Sequence, residues 1–294
     1  MKNYSKIPII CSFVGLWVDS FFSNKIQLLI GFFFIFSFGI LHGANDLLLI
    51  QKINGEKSYK SFLKIITYYC IIIAIGIGLF YFIPGIALLL FIIVSGYHFG
   101  EQHWHFDVVV AKWFQRLFHF IYGTLLLLLL FYIKAKEVSF IIFSITKVSI
   151  PITYFQNLFY IFSIILLAFF YVSYKKEVFS INKLILEIFH LIIFAILFKA
   201  TELIWGFAIY FVFWHSIPSI IDQIVFINGT LSVKNWLKYI KSAALYWMMS
   251  LIGIFILYSI LKNTQIFNAV FFSFLAAITF PHVLVIFKMF DLKK

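Results

Sequence analysis

Ten apolar runs divide this chain, at about 7–22, 26–50, 61–82, 86–103, 117–133, 152–173, 184–198, 202–226, 243–261 and 266–287. A helix needs ~20 apolar residues to cross the hydrocarbon core of a bilayer. Helices and closed barrels are the only structures that satisfy their own backbone polar groups there. The pattern predicts an all-α fold, a polytopic transmembrane helical bundle of about ten spans, with residues 1–294 as a single integral-membrane domain. The run at 7–22 is interrupted by Asp19 and reads as an uncleaved first span, since no small-residue cleavage site follows Phe22. The run at 184–198 is short for a span. Residues 138–150 are shorter still, carry Ser139, Ser144, Thr146, Lys147 and Ser149, and read as an interfacial or re-entrant piece.

Composition excludes a soluble globule. Of 294 residues, 64% are hydrophobic and 12% charged, against roughly 45–50% and about 25% in soluble domains. The net charge of +12 does not mark a nucleic-acid binder, because the basic residues are spread among short connections and form no patch. Cys11 and Cys70 lie in apolar runs and supply neither a disulfide framework nor a CxxC metal motif. With a cytoplasmic N-terminus and ten alternating spans, seventeen of the 23 Lys and Arg fall inside and six outside, as the positive-inside rule requires.

Against this background a few polar clusters stand out. Ile40-Leu41-His42-Gly43-Ala44-Asn45-Asp46 places an imidazole, an amide and a carboxylate at the end of an apolar run. On one continuous helix His42 and Asp46, four apart, share a face. Tyr97-His98-Phe99-Gly100-Glu101-Gln102-His103-Trp104 repeats the theme, and His215 and His282 follow in Trp214-His215-Ser216-Ile217-Pro218-Ser219 and Phe280-Pro281-His282-Val283. In the ten-span layout His42, His98, His215 and His282 all lie in the second half of spans running from outside to inside. Four imidazoles then share one depth, nearer the cytoplasmic face, which suits a common metal site because neutral imidazole is the commonest metal ligand.

Other residues take plainer readings. A lone intramembrane histidine is often an interhelical hydrogen-bond partner, and His119 and His190 are read first in that way. His103 and His105 lie at a helix end or just beyond it. Asp46 and Glu101 are either carboxylates that orient ligating imidazoles or helix-end charges; the first is favoured for Asp46. Asp222, seven residues past His215, is a weaker candidate of the same kind. Tyr97, Trp104, Trp205 and Trp214 neighbour the histidines or share their helices, and are the aromatic candidates for lining a substrate.

HGAND with an apolar tail, YHFGEQHW, FWHSIPSIIDQI and a terminal PHV, in this order, resemble the Brp/Blh family of membrane β-carotene 15,15'-dioxygenases over about Gly31 to Met289. The resemblance implies a multi-pass Fe(2+) enzyme of the bacterial inner membrane. Such an enzyme splits the central double bond of β-carotene with O2 and yields two retinal molecules, with a retinal-binding rhodopsin as a candidate product acceptor. By the same resemblance His42, His98 and His215 match the first, second and third metal histidines. The family pattern places a further histidine four residues after the third, where this chain has Ser219. Either His282 supplies a fourth imidazole, or three histidines leave more positions open, or this branch has lost the reaction. His282 is the expected ligand, with Ser219 near the site and at most hydrogen-bonded to water or bound oxygen. His103 is a reserve on a different helix face.

The residue types suit that chemistry. Oxidative cleavage of an apolar polyene needs a redox metal with open positions, and an all-imidazole shell leaves Fe(2+) net positive. Two rivals use the same residues: a transporter or proton relay with buried histidines, and a bis-histidine haem protein with His42 and His98 as axial ligands.

Overall fold

The computed structural model describes residues 6–55, 58–106, 108–261 and 264–292. Five basic residues used in the inside–outside assignment, Lys2, Lys57, Lys262, Lys293 and Lys294, lie outside the described residues. Every regular element among the described residues is helical. In chain order they are α1 (Lys6–Asp19), α2 (Asn24–Phe34), α3 (Asp46–Asn54), α4 (Tyr59–Phe82), α5 (Pro84–His103), α6 (Lys112–Ile133), α7 (Ala135–Thr146), α8 (Ile152–Lys175), α9 (Ile181–Ala200), α10 (Leu203–Ile209), α11 (Ile217–Asn228), α12 (Val233–Leu261) and α13 (Thr264–Leu292). Two π-helical segments interrupt this series, Ile35–Gly39 after α2 and Tyr210–Ser216 between α10 and α11.

Local chemistry sets the boundaries. Ser58 and Ser180 cap α4 and α9, each hydroxyl accepting from the backbone N–H three residues on, at 3.2 Å and 3.3 Å. Pro84 opens α5, where its missing N–H costs nothing. Gly55 closes α3 with φ of 69°, a left-handed conformation that a side chain disfavours. Pro281 lies inside α13 and removes one rung of that helix's hydrogen-bond ladder.

Among the described residues, eight helices are long and apolar enough to cross a membrane: seven lie within α4, α5, α6, α8, α9, α12 and α13, and one runs continuously over Leu203–Asn228. The chain is therefore a multi-pass membrane protein. Its outward faces carry side chains that water would not tolerate in such number, including Trp17, Tyr81, Phe82, Ile164 and Phe255. The run expected to be short, 184–198, lies within a full twenty-residue helix, α9. α7 has 12 residues, about 18 Å of helix, too little to cross. α1 has 14 residues, and the apolar helix Asn24–Gly39 is also shorter than the eight.

One expectation is corrected. The run 26–50 is not one helix: it breaks into a turn over His42–Asn45, and a new helix starts at Asp46. Gly43 and Asn45 are turn formers, and Asn45 occupies the N-cap position of α3. His42 and Asp46 therefore do not share a helical face.

The chain divides into two compact units. The first comprises residues 1–35, 95–140 and 149–215. Here α6 packs on α8 and α9, α1 on α9 and α10, and α2 on α10. Six consecutive leucines of α6, Leu125–Leu130, are all buried; a helix covered on every side is the core of its unit. The second unit comprises 36–94, 141–148 and 216–294. Here α13 packs on α3, α4 and α12, and α11 on α3 and α12. Leu49, Val285, Ile286 and Met289 form one part of its core, and Leu41, Ile220, Ile224 and Tyr239 another.

Candidate functional site

Each unit holds a pair of the four histidines singled out by the sequence. In the second unit the pair is His42 and His282, both buried, with ring centroids 4.6 Å apart at an interplanar angle of 89°. His42 opens the turn that follows the π-helical segment. π turns are rare and widen a helix locally, shifting its carbonyls out of register. Trp247 of α12 satisfies two of these, its indole N–H donating to the carbonyls of Phe36 and Ser37 at 3.0 Å and 3.1 Å. The turn itself is held by side chains from two other helices. Gln223 of α11 donates to the His42 carbonyl at 2.8 Å and accepts from the Tyr239 hydroxyl at 2.8 Å. Asn45 donates to the Tyr239 carbonyl at 3.0 Å and accepts from the Ser242 hydroxyl at 2.9 Å. A broken helix at membrane depth is tolerated where protein groups satisfy the freed backbone in this way.

The ring nitrogens of this pair are tied down. His42 Nδ1 meets the carbonyl of Gly39, a contact that requires a proton on Nδ1. His282 Nδ1 lies 2.9 Å and 3.0 Å from the two oxygens of the buried Asp46 carboxylate. Both contacts assign the proton to Nδ1 and make Nε2 the lone-pair nitrogen. That is how a metal-binding histidine is prepared, its other N–H handed to a carboxylate or carbonyl. Asp46 thus orients His282, 236 residues away in sequence, and not its near neighbour His42. The Tyr69 hydroxyl donates to Asp46 Oδ2 at 2.7 Å and fixes the carboxylate in turn. Gly43 lies under the ring: a Cβ there would be 3.5 Å from His282 Nδ1. Ser219 belongs to this unit too. It is buried, and its hydroxyl accepts from Gln223 Nε2 at 3.2 Å, one residue contact from the His42 carbonyl. Asp222, on the same helix, is also buried.

In the first unit the pair is His98 and His215, again buried, with centroids 4.6 Å apart at 82°. His215 lies in the second π-helical segment. Its ring is stacked on Phe211 at 5.4 Å and 12°, with Phe99 edge-on at 4.7 Å. His98 is placed by a very close helix crossing. Gly96 and Gly100 of α5 face Gly123 of α6, the small-xxx-small arrangement of membrane helices. A Cβ on Gly100 would stand 2.6 Å from the carbonyl carbon of His119, and one on Gly123 3.0 Å from Gly100 Cα. Glu101 is buried and accepts from the Tyr97 hydroxyl at 3.0 Å.

The tryptophan candidates take packing positions. Trp104 is buried among Phe118, Tyr122, Phe170 and Phe179. Trp205 donates to the Gly15 carbonyl at 3.2 Å and stacks on Phe34. Trp214 donates to the buried Ser12 hydroxyl at 2.8 Å. Sequence reasoning missed Tyr69, Gln223 and Tyr239. Tyr69 lies 23 residues from Asp46, and Gln223 and Tyr239 lie 181 and 197 residues from His42, and no local spacing announces such bonds.

No curated protein and no solved structure gives a significant match to this chain. The sequence profile of the family described as Beta-carotene 15,15'-dioxygenase matches residues 33–290.

Proposed function

Since the chain belongs to the β-carotene 15,15'-dioxygenase family, we propose that it is an Fe(2+) enzyme that cleaves the central double bond of β-carotene with O2, with His42, His98, His215 and His282 as the iron ligands. The reaction balances without an outside reductant: the 15,15' double bond breaks, and the two oxygen atoms of O2 become the aldehyde oxygens of two retinal molecules. The observation that carries the reading is the double tethering of His42 and His282 through Nδ1, with Asp46 held by Tyr69.

When bound, the iron supplies the redox activation of dioxygen that no side chain of this chain can provide. The protein's own groups do the rest. Asp46 and the Gly39 carbonyl keep a proton on Nδ1 of the two rings, so that Nε2 is available as a donor. Phe99 and Phe211 cover His215 with apolar surface and keep water from it. The substrate is as apolar as the lipid tails, so it reaches the protein sideways from the bilayer and binds by area and aromatic contact. The product passes to an acceptor such as a retinal-binding rhodopsin, and the basic connections orient the protein in a bacterial inner membrane with a cytoplasmic N-terminus.

The test is to replace each of the four histidines by Ala in the full chain, purify the proteins in detergent, and measure iron per chain and retinal formed. Each variant is expected to lose both. Wild-type iron and activity in any one variant removes that residue from the site, and a haem spectrum or a metal-free active enzyme overturns the reading.

A further inference from the structure

The first unit contains a second set of ligand-type side chains, none of them used above. Glu187 and His190 lie three apart on α9 and so share a face. His103 closes α5. Its Nε2 is 3.0 Å from Glu187 Oε2, and His190 Nδ1 is 3.3 Å from the same oxygen. Each residue offers a ligand atom within 4.8 Å of the others.

These separations are those of a metal shell. With metal–ligand bonds of about 2.1 Å, neighbouring ligand atoms of an octahedral or tetrahedral ion stand roughly 3.0–3.4 Å apart. The donor set, two imidazoles and one carboxylate, holds first-row dications and leaves coordination positions open. The surroundings fit as well. Glu187 is 8% exposed and His190 5%, and a carboxylate buried in an apolar helix calls for a cationic partner. His190 Nε2 is buried and has no hydrogen-bond partner among the described residues. The Tyr122 hydroxyl donates to Glu187 Oε2 at 2.9 Å. The ring of His103 is clamped between Tyr122 at 5.0 Å and Trp214 at 5.9 Å, both stacked on it. Ligands are usually fixed by such supporting contacts.

We propose that His103, Glu187 and His190 form a separate binding site for one divalent first-row transition ion. The site shares no residue with the four histidines assigned to iron, so the two assignments stand or fall independently.

The probe is Co2+, added to the full-length, metal-stripped protein in detergent, with cobalt per chain measured by mass spectrometry and its visible absorption recorded. The wild type is expected to bind two ions. Glu187→Gln and His190→Ala are each expected to bind one, and His42→Ala is expected to lose the other. Glu187→Gln keeps the shape of the side chain and its acceptor for Tyr122, so it carries the test if His190→Ala does not fold by size-exclusion profile. Wild-type stoichiometry in folded Glu187→Gln overturns the site. If the wild type binds a single ion, its loss in Glu187→Gln and retention in His42→Ala upholds this site and overturns the four-histidine assignment. The reverse pattern overturns this site alone.

Discussion

The two histidine pairs have the same ring separation, 4.6 Å, in different surroundings. His42 and His282 meet a backbone carbonyl and a carboxylate that is itself hydrogen-bonded. His98 lies beside a glycine-lined helix crossing, and the faces of Phe99 and Phe211 cover His215. A hydrogen bond to a ring depends on one side chain, whereas a close crossing carries a whole helix. Damage at Asp46 should therefore be felt as lost metal, and damage at the crossing as lost fold.

The largest effect is expected on the packed side. Gly100→Ala drives a methyl group into the backbone of His119, which cannot rotate away as a side chain would, so α5 and α6 must separate. The cost is placed above ~3 kcal/mol, the upper end for overpacking, and shows as lost folded protein and a lower melting temperature in detergent. A normal melting temperature would mean that this crossing does not position His98. The next effect is on the polar side. Asp46→Asn keeps the shape but not the charge, and is expected to lower iron affinity or rate by about 10–100-fold, as changes behind a ligand commonly do. Its melting temperature should move little. If Asp46→Asn unfolds the protein, the contrast between the two pairs fails. The smallest effect is expected from Ser219→Ala, which removes one 3.2 Å bond from Gln223 while leaving the stronger bond to the His42 carbonyl. Retinal formation and iron content should stay within about fivefold, since a neutral hydrogen bond is worth only ~1 kcal/mol. A loss matching that of His282→Ala would make Ser219 a ligand.

The helical architecture could be read from the chain because hydropathy reports burial in lipid directly, and eight runs became long helices. The breaks could not be read in the same way. The two π-helical segments lie largely in apolar sequence, where no polar residue has to mark the change, and the turn at His42–Asn45 carries Gly43 and Asn45 within a cluster that reads first as a polar site on a continuous helix. The histidines were legible because an imidazole in an apolar run is conspicuous. Their partners were not. Asp46 looked like the companion of a residue one turn away, and its partner proved to be His282. Glu187 was not singled out in the sequence: its three-residue spacing from His190 gains meaning only through His103, 84 residues away, which supplies the contact.

The bond between Asp46 and His282 also has a history. During synthesis the carboxylate emerges long before its imidazole: 236 residues separate them, roughly 12–50 s of translation at 5–20 residues per second. Tyr69 arrives first, only 23 residues later, and can chaperone the charge in the nascent protein. Until α13 is inserted the polar pair is half built, and the short helix α3 that carries Asp46 has α4 and then α11 to lean on. A nascent chain stopped before His282 would hold this acid with the Tyr69 hydroxyl but without its imidazole.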